Sequence, residues 1–96
     1  MKYYDWNSDK NERLKSEREV GFENILEAIH AGKVLAVIPN PQGRFSHQKI
    51  LIVEIDGYAF TVPYVQDGDK IFFKTIMPSR KATKKYLTNK KQKKAL

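Results

Sequence analysis

Ninety-six residues carry 18 Lys/Arg against 11 Asp/Glu, a formal net charge of +7, with no Cys and two His. That length suits one domain with a marginal core. The missing Cys excludes a disulfide framework, a thiolate metal site and a cysteine nucleophile, and His30 and His47 make no zinc site without carboxylates. No apolar run approaches the ~20 residues that cross a bilayer, and Met1–Trp6 lacks the apolar stretch of a signal peptide, so the expectation is a small cytoplasmic protein with no membrane partner.

The charge is unevenly placed. Residues 79–96 hold eight cations (Arg80, Lys81, Lys84, Lys85, Lys90, Lys91, Lys93, Lys94) and no acid, whereas the remaining 78 residues are close to neutral. Such a block reads either as an arm for a polyanion such as RNA, DNA or an acidic protein, or as a solubilising tail. The expected organisation is one domain over residues 1–88 and a basic tail over 89–96.

In chain order, Lys2–Trp6 is short and aromatic and suits a strand. Asn7 or Ser8 can cap a helix from Asp9 to about Arg18, polar except for Leu14. Phe22, Ile25, Leu26 and Ile29 fall at i, i+3, i+4 and i+7, the apolar stripe of a second helix, which Ala31-Gly32 ends. From Lys33 the period changes to that of strands. Val34–Ile38 is a continuous apolar run, stopped by Pro39-Asn40-Pro41-Gln42-Gly43. Ile50–Ile55 follows, then the hairpin signal Asp56-Gly57. Tyr58, Phe60, Val62 and Tyr64 alternate with smaller residues, Asp67-Gly68 reads as a second tight turn, and Ile71–Met77 reads as the last strand. Pro78 is expected to stop it, and Ser79 to cap a helix over Arg80–Leu87. The order predicts an α+β fold: a short N-terminal strand, two helices, an antiparallel meander of about four strands with the helices on one face, and a basic C-terminal helix.

The chain has no Gly-rich phosphate loop, G-x-S-x-G elbow or H-E-x-x-H motif. Glu54/Asp56 and Asp67/Asp69 sit at a strand end and a turn, where acids are ordinarily solvated. Cation chemistry remains, with no cofactor required. RNA carries its own nucleophile, the 2′-hydroxyl, so a protein can cleave it by holding the backbone, stabilising the phosphorane and assisting proton transfer. Arg80 and Lys84 lie at i, i+4 on the basic helix and are candidates for phosphorane stabilisation. Lys74 on the last strand and Lys81 are candidates for flanking phosphates. Tyr64 and His47 are candidates for proton transfer, although His47 reads first as a loop residue on the rim of the sheet. Arg44 and Lys85 complete the candidate RNA contacts. Tyr3, Tyr4 and Trp6 read as core before they read as base-stacking residues.

Tyr4-Asp5-Trp6 with Lys10-Asn11, Phe22-Glu23, and above all Ile76-Met77-Pro78-Ser79-Arg80-Lys81-Ala82-Thr83-Lys84-Lys85-Tyr86 resemble BrnT-like toxins over most of residues 3–87. The resemblance implies the toxin of a type II toxin–antitoxin pair with a RelE-like fold. It implies metal-independent cleavage of RNA, either mRNA free in solution or on the ribosome. It also implies a cognate antitoxin with a ribbon-helix-helix domain, through which alone the complex would meet operator DNA. By motif match, Arg80 and Lys81 would contact the substrate phosphate, Lys84 would follow one turn later, and Lys10 would match a first-helix lysine. Two positions depart from the family's pattern: Arg18 stands where a Lys-His-Gly segment is usual, and Pro78-Ser79-Arg80 replaces Ser-Ala-Arg. The competing expectation is a non-catalytic nucleic-acid- or ribosome-binding module that uses the same basic helix and tail.

Overall fold

The structure, a computed structural model, describes residues 2–40 and 48–88. Strand β1 (Tyr3–Asp5) leads into helix α1 (Ser8–Arg18), and helix α2 (Phe22–His30) follows. Strands β2 (Val34–Pro39), β3 (Gln48–Ile55), β4 (Tyr58–Asp67), β5 (Lys70–Phe73) and β6 (Met77–Pro78) precede a C-terminal helix. That helix, α3, is α-form over Arg80–Ala82 and continues in π-form over Thr83–Thr88. The architecture is α+β with three helices on a mixed sheet of order β1-β5-β4-β3-β2, in which β6 also pairs with β4. No helix among the described residues is long and apolar enough to cross a membrane.

Local signals place the elements. Asn7 caps α1 by accepting the Lys10 N–H at 2.9 Å, as short polar side chains do at helix starts. Gly32, at φ 75°, ends the α2 region in the left-handed conformation. Asp56 and Gly57 both have positive φ, which gives the β3–β4 hairpin a turn whose twist matches its strands.

Several expectations are corrected. The four-strand meander β2-β3-β4-β5 is antiparallel as expected, but the N-terminal strand adds a parallel pair, β1 with β5, with Tyr4 opposite Ile71. The turn after β4 is Gly68-Asp69, since Asp67 still pairs with Lys70. The run Ile71–Met77 is not one strand: β5 stops at Phe73, and pairing with β4 resumes only at Met77 and Pro78. Pro63 supplies the reason. Its carbonyl accepts the Lys74 N–H at 2.8 Å, and a strand residue turns its N–H and C=O to the same neighbour. Proline has no N–H to return, so the ladder lapses beside it. Lys74 therefore follows the strand, and Pro78 lies within β6 rather than stopping a strand before it.

The helices also divide between two faces, contrary to the one-face expectation. On one face, α1 and α2 pack Leu14, Phe22 and Ile25 against Leu51, Val53, Val62 and Phe73. On the other, α3 sets Ala82, Tyr86 and Leu87 against Ile50, Ile52 and Ala59. This two-sided burial explains why Ile50–Val53 is continuously apolar, where a one-sided strand would alternate. Tyr4 and Trp6 are core: Trp6 stacks on Phe22 at 5.5 Å, and Tyr4 on Phe73 at 5.5 Å. Tyr3 is exposed.

Candidate nucleic-acid interface

The segment Ser79-Arg80-Lys81-Ala82-Thr83 divides into anchors and outward cations. The Ser79 hydroxyl accepts the Ala82 N–H at 3.0 Å and caps the helix. Ala82 is nearly buried, small enough for the helix to lie close on β3 and β4. The Thr83 hydroxyl donates to the Ser79 carbonyl at 2.8 Å and accepts the Ala59 N–H at 2.9 Å. One hydroxyl thus ties the helix to its own start and to the hairpin. Beyond Thr83 the helix widens to the π form, whose i→i+5 repeat aligns Leu87 with Ala82. Tyr86 and Leu87 then both reach the sheet.

What the anchoring leaves outward is Arg80, Lys81, Lys84 and Lys85, all exposed. Among the described residues, no acidic side chain forms an ion pair with Arg80, Lys81 or Lys84. A groove of about 250 Å³ runs between helix and sheet, with Ile38 and Ile52 on its floor and Lys81, Lys85 and Tyr86 beside it. The Lys85 ammonium lies 5.5 Å from the Tyr86 ring centroid. Along the same face of the sheet, Lys70 and Lys74 place their ammonium groups 5.7 and 5.6 Å from the Phe72 ring centroid. Cations interleaved with aromatic rings are the arrangement that holds a single-stranded backbone and its bases.

The structure brings together Arg80, Lys81, Lys84 and Lys85 on one helix, with Lys74 on the face that helix covers. It does not bring Tyr64 to them. Tyr64 is buried on the α1–α2 face, and burial together with neighbouring Tyr4 raises its pKa above the ordinary value of 10.0. Lys10 stands on α1, in the layer across the sheet. Arg44 and His47 lie outside the described residues. Lys70, Phe72 and Tyr86 went unnoticed in the sequence. The first two are legible in the alternation Lys70-Phe72-Lys74, which puts all three on one side. Tyr86 reaches the groove through the π-turn, which no apolar period announces.

Comparison with protein-family models, with curated proteins and with solved structures found no match for this chain.

Proposed function

We propose that this chain is a BrnT-like toxin with a RelE-like fold, a metal-independent ribonuclease that a cognate antitoxin neutralises. The observation that supports the reading is the division of labour on α3. Ser79, Ala82 and Thr83 hold the helix to the sheet, and Arg80, Lys81 and Lys84 are left exposed and without acidic partners among the described residues. A backbone phosphate set against Arg80 and Lys84 has two cations to stabilise the extra negative charge of a phosphorane. Lys74, Lys81 and Lys85 then hold flanking phosphates. In the reaction the 2′-oxygen bonds to phosphorus as it loses its proton, the bond to the 5′-oxygen breaks, and that oxygen takes up a proton. The products are a 2′,3′-cyclic phosphate and a 5′-hydroxyl. Tyr86, beside the cations, is the described phenol best placed to take part in the proton transfers.

A specific observation favours the second reading, a binding module: Tyr64, the phenol expected to move protons, stands across the sheet from Arg80. One experiment separates the two. The purified protein is incubated with a defined RNA in excess EDTA, wild type beside Arg80→Ala. Cleavage to 2′,3′-cyclic ends that the variant loses is the expected outcome. RNA that is bound but left intact, with and without translating ribosomes, would establish the binding module instead.

A further inference from the structure

The face opposite α3 is incompletely covered. Helix α2 has nine residues, and beside it the strands enclose a hollow of about 190 Å³ lined by Val34, Val37, Leu51 and Tyr64, with Lys2 among the lining residues. A second hollow of about 360 Å³, lined by Lys49, Tyr64, Gln66 and Gly68, meets it at Tyr64. Among the described residues, together they are lined by two lysines and no acid. Val37 is 50% exposed and Val34 38%, although both belong to a strand of the sheet.

That strand, β2, closes one side of the sheet, and among the described residues nothing pairs with its outer edge. Its inner side is committed to β3: the Asn40 N–H donates to the Gln48 carbonyl at 3.2 Å. Alternation along the ladder then turns the backbone N–H and C=O of Val37 outward. Pro39, at the same outward phase, lacks only a donor that β3 does not need. The other edge strand, β1, has three residues and carries Asp5 in an ion pair with Lys70 at 3.6 Å. By contrast β2 has six residues and no charged side chain; a register shift between Val34 and Ala36 and the missing N–H of Pro39 shorten its free edge, which leaves Val37 as the residue able to pair with a further strand through both N–H and C=O. A cation brackets it at each end, since Lys33 precedes Val34 and Lys49 lies opposite Pro39.

We propose that the β2 edge and its adjoining hollow dock an extended acidic segment of a partner protein. The segment pairs with the backbone at Val37, lays apolar side chains over Val34 and Val37, and sets carboxylates against Lys33 and Lys49. The bracketing cations select this occupant over a second copy of the chain. Antiparallel pairing of β2 with β2 would bring Lys33 of each copy toward Lys49 of the other, between chains that each carry +7. The hollow lies on the face opposite α3 and contains none of its residues, so the proposal stands whether or not the chain cleaves RNA.

The test uses the full chain and two synthetic peptides, one alternating Glu with Val and one alternating Lys with Val, followed through the backbone amide NMR shifts. The expected result is that the Glu peptide alone shifts the amides of Val34–Ile38 and that its affinity rises as salt is lowered. Val37→Asp weakens it about tenfold or more. Should Val37→Asp disturb the fold, Lys49→Glu at an exposed position serves instead, weakening the Glu peptide and admitting the Lys peptide. Failure of the Glu peptide to bind, equal binding of both peptides, or shifts confined to Arg80–Thr88 would each overturn the proposal. So would sedimentation that shows a dimer abolished by Val37→Asp.

Discussion

The two faces of the sheet are built from different materials. Across the α1–α2 face, four rings stack in sequence: Tyr4 on Phe73, Phe73 on Phe22 at 5.8 Å, and Phe22 on Trp6. The α3 face has a thinner filling, with Ala59 and Ala82 at its centre and Tyr86 and Leu87 only half covered. Large rings bury the most apolar area and set the stability of the domain. Small residues let a helix approach the sheet closely, and a hydroxyl then replaces area as the fastening. The first face holds the fold together; the second holds up a row of cations. The sharpest way to break this comparison is to remove one large side chain from the first face. Phe22 is fully buried against Trp6 and Phe73, so Phe22→Ala should cost about 3–5 kcal/mol. Against a total stability of about 5–15 kcal/mol for a domain of this kind, urea unfolding should show a large fall in midpoint. A loss below about 1 kcal/mol would mean that the ring stack is not the principal core.

A smaller effect is expected on the second face. Thr83→Val keeps the volume and deletes the hydroxyl, leaving the Ala59 N–H without its partner. The cost should be about 1–3 kcal/mol, with hydrogen exchange accelerated at Ala59 more than at Val53 or Val62. Uniform acceleration would show that α3 and the ring stack unfold as one unit.

These two faces were not equally legible beforehand. Phe22, Ile25 and Ile29 announce α2 by period alone, and two left-handed residues at Asp56-Gly57 announce the hairpin, because both signals are local. The placement of α3 on the far face is carried by Ile50 and Ile52, whose burial cannot be told from that of Leu51 and Val53 in a continuous apolar run. The break after Phe73 is set by Pro63, ten residues earlier in sequence and adjacent only once β4 and β5 pair. The cluster of Arg80, Lys81, Lys84 and Lys85 was readable, since one short helix carries it. The separation of Tyr64 from that cluster was not, because it depends on which way β4 faces in a sheet covered on both sides.

If the cations of α3 are ligand-bearing and not fold-bearing, their removal should leave stability nearly unchanged. Replacing both Lys81 and Lys85 by Ala should move the unfolding free energy by no more than about 1 kcal/mol, about 0.5 for each exposed position. The same double variant should lower the slope of log affinity for single-stranded RNA against log salt by about 1.4, if each lysine neutralises one phosphate. An unchanged slope would remove the groove at Lys81, Lys85 and Tyr86 from the RNA-binding surface.

The smallest effect belongs to the seam between α1 and α2, and it is a pH dependence. Asn11 is buried, donates its amide N–H to both oxygens of Glu23 at 3.1 and 3.0 Å, and accepts the Phe22 N–H at 2.8 Å. Lys15 adds an ion pair to Glu23 at 3.3 Å. The Asn11 hydrogen bonds are the main cause that lowers the Glu23 pKa below its ordinary 4.5, with Lys15 contributing less. The Lys15 pKa is raised in return by the same carboxylate. A depressed carboxylate pKa stabilises the fold above the unfolded value, and that contribution is lost as pH falls from the unfolded pKa through the folded one. The urea midpoint should therefore drop on going from pH 7 to about pH 3, and less steeply in Glu23→Gln, whose amide oxygen still accepts from Asn11 but does not titrate. Glu23 is exposed, so solvent screening keeps the difference small. Its size relative to Phe22→Ala measures how far the α1–α2 face is held by its stacked rings and how little by the charges around them.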